Sequence, residues 1–156
     1  MINLLKKNKI VEVIVVSTLF VSFFIIGTLS YKSYGISVDE WDLREMGFMN
    51  LKYIMELISH EDVNIIDNIL TVPDFTNYSS NTHGIIFALP MAFIEYFFNI
   101  TDSQKYYFLR HYINHLIFLV SNFYFFLIIK KRYNNWIYGI LGALFLFLSP
   151  RIFAES

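Results

Sequence analysis

The feature that most constrains this chain is an apolar run from Ile10 to Ser30, broken by a single charge, Glu12, and preceded by Lys6, Lys7 and Lys9. About 20 apolar residues are what a helix needs to cross the hydrocarbon of a bilayer, where every backbone amide must find its partner inside the segment. A cleaved leader would carry an apolar core of about 7–15 residues and a small-x-small cleavage site. This run is longer, and Thr28-Leu29-Ser30-Tyr31 makes a poor site, so it reads as an uncleaved anchor. Lysines in front of it hold the N-terminus in the cytoplasm and direct the segment after the run to the outer face.

The rest of the composition agrees with a membrane protein. The chain is 56% hydrophobic and only 16% charged, against roughly 25% charged in ordinary globular domains. A net charge of −1 offers no basic field to nucleic acid. With no cysteine there is no disulfide, no thiolate metal site and no cysteine nucleophile.

Eleven of the thirteen acidic residues fall between positions 31 and 109, opposed by Lys32, Arg44, Lys52 and Lys105 alone, as expected of an outer loop. Within it, Leu43, Met46, Met49, Tyr53 and Leu57 recur at three- and four-residue spacing, which predicts an amphipathic helix over Ser37–Ser59. A polar connection containing Pro73 runs from His60 to His83, and a loop of that length is commonly functional. Gly84 to Phe98 is apolar but short, and carries Pro90 and Glu95. If it crossed, the basic cluster Lys130-Lys131-Arg132 would land outside, against the positive-inside rule. A re-entrant or interfacial helix avoids this and leaves the Glu95 charge wet.

Residues 110–129 form the next convincing span, and 133–149, with Gly139 and Gly142 as a small-residue packing face, are just long enough to return. The expected fold class is therefore all-α: a polytopic membrane protein with about three transmembrane helices, spanning at 10–30, 110–129 and 133–149. Residues 31–109 supply its outer loop, with one amphipathic and one interfacial helix. So thin a bundle invites further transmembrane helices or a subunit, and the chain reads as the N-terminal part of a larger membrane domain in the cell membrane.

The carboxylates Asp39 and Glu40 stand where the chain leaves the first span. Local helix chemistry accounts for both: Ser37 and Glu40 fit a capping box, and Asp39 suits the positive end of the helix dipole. Equally, a carboxylate at a helix start beside the membrane can take a proton from an acceptor during group transfer. Arg110 suits fork-like binding of a lipid phosphate, or balances charge at a span's end. His111 and His115 lie one helical turn apart, as a metal pair would, but no third ligand has matching spacing. Asp62, Asp67 and Asp74 match no calcium loop and read as solvated. Asn77-Tyr78-Ser79 and Asn99-Ile100-Thr101 are glycosylation acceptors where that machinery exists.

An ordered set of segments carries a resemblance. Tyr34-Gly35-Ile36-Ser37-Val38-Asp39-Glu40 opens a helix that continues to Arg44-Glu45-Met46-Gly47. His83-Gly84 precede a short apolar helix, Arg110-His111 open a span, and Leu148-Ser149-Pro150-Arg151-Ile152-Phe153-Ala154 close the chain. Together these resemble the N-terminal part of bacterial GT-C glycosyltransferases related to the dolichyl-phosphate-mannose protein mannosyltransferases. The resemblance implies transfer of a sugar from a polyprenyl-phosphate carrier to an acceptor on the outer face of the membrane. It implies Asp39 as the catalytic carboxylate, acting as base, Glu40 as an acceptor-positioning or supporting carboxylate, Arg110 as the holder of the carrier phosphate and His83 as a residue shaping the site. No cofactor is implied, and a divalent metal stays open. The other readings are a non-catalytic membrane subunit that packs through the Gly139/Gly142 face and uses its acidic outer loop for contact, and a truncated remnant acting only through helix packing.

Overall fold

A computed structural model describes residues 2–36, 38–58, 71–72 and 85–149. The expectations for Ser37, His83, the aspartates at 62, 67 and 74, Asn77 and Pro150-Arg151 lie outside these residues. Five α-helices are described: α1 (Ile2–Ser30), α2 (Val38–Ile58), α3 (Ala88–Phe97), α4 (Ser103–Tyr133) and α5 (Trp136–Phe147). They fall into two compact units, one made of Met1–Tyr34 with His111–Ser156 and the other of Gly35–Arg110.

In the first unit α1 and the greater part of α4 lie antiparallel. Lys130 bonds Glu12 at one end, and the Tyr31 and Tyr112 rings meet at 5.3 Å at the other. Tyr34 and His111 also touch edge to face, so the chain leaves this unit at the same end where it returns. Between the ends, Phe23, Phe126, Ala143 and Phe147 form the core, with Phe23 stacked on Phe147 at 3.9 Å. Glycines admit this closeness: a Cβ on Gly27 would fall inside the His115 ring, and one on Gly139 would lie 2.8 Å from the Phe126 ring.

Among the described residues two helices are long and apolar enough to cross a membrane: the 25 residues Lys9–Ser33 and the 31 residues Ser103–Tyr133. Their apolar side chains point mostly outward, with 17% of each apolar window buried. Outward-facing Val13 and Leu29, for example, are 63% and 77% exposed. The expected third span is not reached among the described residues. Helix α5 has 12 residues, and at 1.5 Å per residue it measures about 18 Å against a hydrocarbon core of about 30 Å. Asn134, with φ of 50°, turns the chain after α4; Asn135 then caps α5 by accepting the Ile137 amide at 2.9 Å.

The second unit is α2 packed on α3, with the first two turns of α4. Met46, Phe48, Met49, Leu51 and Ala92 are its core, joined by Val72. The expected helix from Ser37 is present from Val38. Its apolar stripe behaves differently along its length, however: Met46 and Met49 are buried, whereas Leu57 is 69% exposed.

Helix α3 is shorter than expected at 10 residues, too short to cross. Pro90 falls in its first turn, where the missing N–H is no loss. Its far end is a Schellman cap: Asn99 takes φ of 48°, its amide donates to Tyr96 O, and the Ile100 amide donates to Glu95 O. Asp102 then starts α4, its carboxylate accepting the Gln104 amide at 3.0 Å. The helix that carries Arg110 therefore begins seven residues before the expected span.

Helices α2 and α3 approach through Gly47, where an added Cβ would collide with the Ala88 carbonyl. In an open helix, Gly→Ala gains about 1 kcal/mol, but this collision is with backbone that cannot rotate away. Gly47→Ala is expected to destabilise the protein by about 1–2 kcal/mol net. Gly35→Ala, where a Cβ meets nothing within 4 Å, is expected to leave stability within about 0.5 kcal/mol. Thermal unfolding of the two variants in detergent micelles checks both.

Candidate functional site

The second unit holds a buried charge cluster that draws one residue from each of its three helices. Glu95 on α3 is 0% exposed, and Arg44 on α2 and Arg110 on α4 are each 3% exposed. Arg44 Nε donates to Glu95 Oε2 at 2.8 Å, and Arg110 Nε donates to Glu95 Oε1 at 2.9 Å. One carboxylate is thus shared by two guanidiniums, an oxygen for each. The expectation of a wet Glu95 is overturned: Ala88, Met91 and Ala92, on the same face, are also buried, so Glu95 points into the unit.

Helix register explains the convergence. Tyr106 and Arg110 are four residues apart on α4 and share a face. Tyr106 is buried, and the Arg44 guanidinium carbon lies over its ring, 3.6 Å from the centroid. Phe48, one turn along α2, contributes a second aromatic face at 5.2 Å. Such stacking suits Arg, whose planar, weakly hydrated head loses less on burial than an ammonium.

Among the described residues the charges of the cluster do not cancel: two guanidiniums face one carboxylate. Arg44 Nη2 and Arg110 Nη2 are both buried with no hydrogen-bond partner among the described residues. Each unmet buried donor costs about 1–3 kcal/mol. A site with surplus positive charge and spare N–H groups is chemically disposed to take an anion with several acceptor oxygens.

The expected site residues are only partly gathered here. Arg110 belongs to the cluster, two turns inside its helix rather than at the head of it. Asp39 stands exposed in the first turn of α2, outside the cluster. Glu40 is half-buried and lies one turn before Arg44 on the same face. His83 is not among the described residues. Sequence reasoning missed Arg44, Glu95 and Tyr106 as members. The available signal was Glu95 itself, a lone acid in an otherwise apolar helix, which calls for a buried partner of opposite charge.

In the first unit, His115 is 0% exposed, and neither ring nitrogen has a hydrogen-bond partner among the described residues. It fills the notch left by Gly27, a packing role. Asn122, also fully buried, donates to Ala143 O at 3.3 Å. Among the described residues no three His, Asp or Glu side chains gather as metal ligands would. The Gly139/Gly142 face is filled by Phe126 and Ile129 of this same chain.

Removing the shared anion strands two buried cations, a loss worth about 3–5 kcal/mol. Glu95→Gln is therefore expected to destabilise the protein by about that much. Replacing all three charges with apolar residues of similar volume should cost far less, because nothing charged is then left unpaired. Thermal denaturation of Glu95→Gln beside Arg44→Met/Glu95→Leu/Arg110→Met distinguishes the two outcomes. Set against protein-family models, curated proteins and solved structures, the chain gives no match in any of the three comparisons.

Proposed function

We infer that the chain is a membrane glycosyltransferase, or the N-terminal part of one, which takes a sugar from a polyprenyl-phosphate carrier at the outer face of the cell membrane. The observation that carries this reading is the pair of buried arginines, each with one guanidinium nitrogen that has no hydrogen-bond partner among the described residues, one of them on a helix long and apolar enough to cross a bilayer. A lipid-linked phosphate presents both halves of the matching chemistry, an oxygen-rich anion on an apolar chain. In this reading the N-terminus is cytoplasmic, as the lysines before α1 favour.

Each residue then has a role its position supports. Arg110 and Arg44 hold the carrier phosphate through their spare Nη2 groups, while Glu95 fixes both planes by engaging Nε. Asp39, exposed at the start of α2, is the base that accepts a proton from the acceptor hydroxyl or amine. Glu40, on the face of α2 that carries Arg44, supports it. Sugar departs with the bond to the acceptor forming as the bond to phosphate breaks, and the arginines stabilise the charge that collects on the phosphate oxygens. His83 keeps its proposed role in shaping the site.

The competing reading is a non-catalytic subunit; its Gly139/Gly142 face is packed against α4 of this chain, and the acidic outer loop is the contact left to it.

Vesicles containing the full chain are expected to bind radiolabelled polyprenyl phosphate in a salt-sensitive way. Arg44→Gln and Arg110→Gln should each weaken that binding about tenfold, the loss of one charge-assisted contact of about 1.4 kcal/mol. Asp39→Asn should leave binding and membrane insertion unchanged and lower sugar transfer by at least about 100-fold where transfer is measured. Binding that ignores both arginine changes would defeat the phosphate assignment, and transfer that survives Asp39→Asn would defeat the base.

A further inference from the structure

The apolar stripe of α2 surfaces toward its C-terminal end, and α3 surfaces beside it. Leu57 and Ile58 on α2 are 69% and 80% exposed, and Phe93 and Phe97 on α3 are 55% and 70% exposed. Between the two helices lies a groove of about 510 Å³, walled by Leu51, Ile54, Met55, Leu89, Pro90 and Phe93 among other apolar side chains. An exposed apolar patch of this kind on the unit with most of the chain's acidic residues is not a solvated surface.

Its position along the chain selects the occupant. Counting about 20 residues back from Lys130, as a hydrocarbon core requires, reaches Arg110. Helix α3 is clamped to that residue by the 2.9 Å bond from Arg110 to Glu95. Only five residues separate the end of α3 from the start of α4, a reach of roughly 20 Å at full extension. Helix α2 is tethered likewise, seven residues after α1.

We propose that the α2–α3 groove and its rim of Leu57, Ile58, Phe93 and Phe97 sit in the outer membrane leaflet and receive lipid acyl chains. The α2 helix is then divided: its first half packs around the Arg44–Glu95 cluster, and its second half is a lipid-facing helix. This assignment rests on exposure and tethering, and stands whether or not a sugar is transferred.

The chain lacks cysteine, so single-cysteine variants can be labelled uniquely with a small fluorophore. Leu57→Cys, Ile58→Cys and Phe93→Cys probe the groove and rim, Asp42→Cys an exposed polar position of α2, and Val21→Cys an outward position of α1. The full chain is reconstituted in phosphatidylcholine–phosphatidylglycerol vesicles. Quenching by nitroxide placed on the lipid acyl chain is compared with quenching by iodide in the water. The expected result is acyl-chain quenching at 57, 58 and 93 that is several-fold stronger than at 42 and comparable with that at 21, with iodide excluded. Iodide access at 57, 58 and 93 equal to that at 42 would overturn the proposal by placing the face in water. Protection from both quenchers would overturn it by showing that protein, from this chain or a second copy, covers the groove. Failure of acyl-chain quenching at 21 would overturn it by removing the chain from the bilayer. Position 58 is so exposed that its substitution leaves the packing intact, which keeps the test decisive if the Phe93 variant does not fold.

Discussion

One carboxylate organises the second unit. A buried ion is tolerated only when its opposite charges and hydrogen bonds are close at hand, and Glu95 meets this by giving an oxygen to each of two arginines from two other helices. The bonds fix more than charge. By using Nε of each guanidinium, they set the plane of both and leave one terminal nitrogen of each without a hydrogen-bond partner among the described residues. Packing and charge are therefore one arrangement: the contact that ties α2, α3 and α4 together also sets how both guanidiniums are held.

Around this cluster the apolar contacts are close and unforgiving. Gly47 lets α2 touch the start of α3, and Phe48 and Tyr106 flank the Arg44 guanidinium. The first unit obeys the same rule with different means. Glycine on one helix faces a ring on the next, at Gly27 with His115 and at Gly139 with Phe126. Where lipid rather than water surrounds a helix, close backbone approach and dispersion replace the hydrophobic effect as the source of association.

Much of this was legible in the residues because a few patterns have few physical solutions. The lysine-flanked run at Ile10–Ser30, the three- and four-residue spacing from Leu43 onward and the basic cluster at Lys130 each led to the helix that is present. What could not be read was depth and length. Periodicity gives a face but not its neighbour, so Leu57 counted as core although it is exposed, and Glu95 counted as wet although it is enclosed. For residues 133–149, Asn134 and Asn135 are spent on a turn and a cap, so the helix described there begins only at Trp136. The site was half visible. Arg110 stood out as a charge beside an apolar run, but its partners lie 15 and 66 positions away in sequence, and only the folded unit brings them together.

The pair of Glu12 with Lys130 carries a consequence for biogenesis. These residues are 118 positions apart in sequence, and at roughly 5–20 residues per second a ribosome takes on the order of 6–24 s to cover that distance. Throughout that interval the first helix holds an acid whose counter-ion has not yet been made. Its place at the lysine-flanked edge of the apolar run lets water and headgroups solvate it while it waits. Arrival of the second long helix then latches the two together in one relative register.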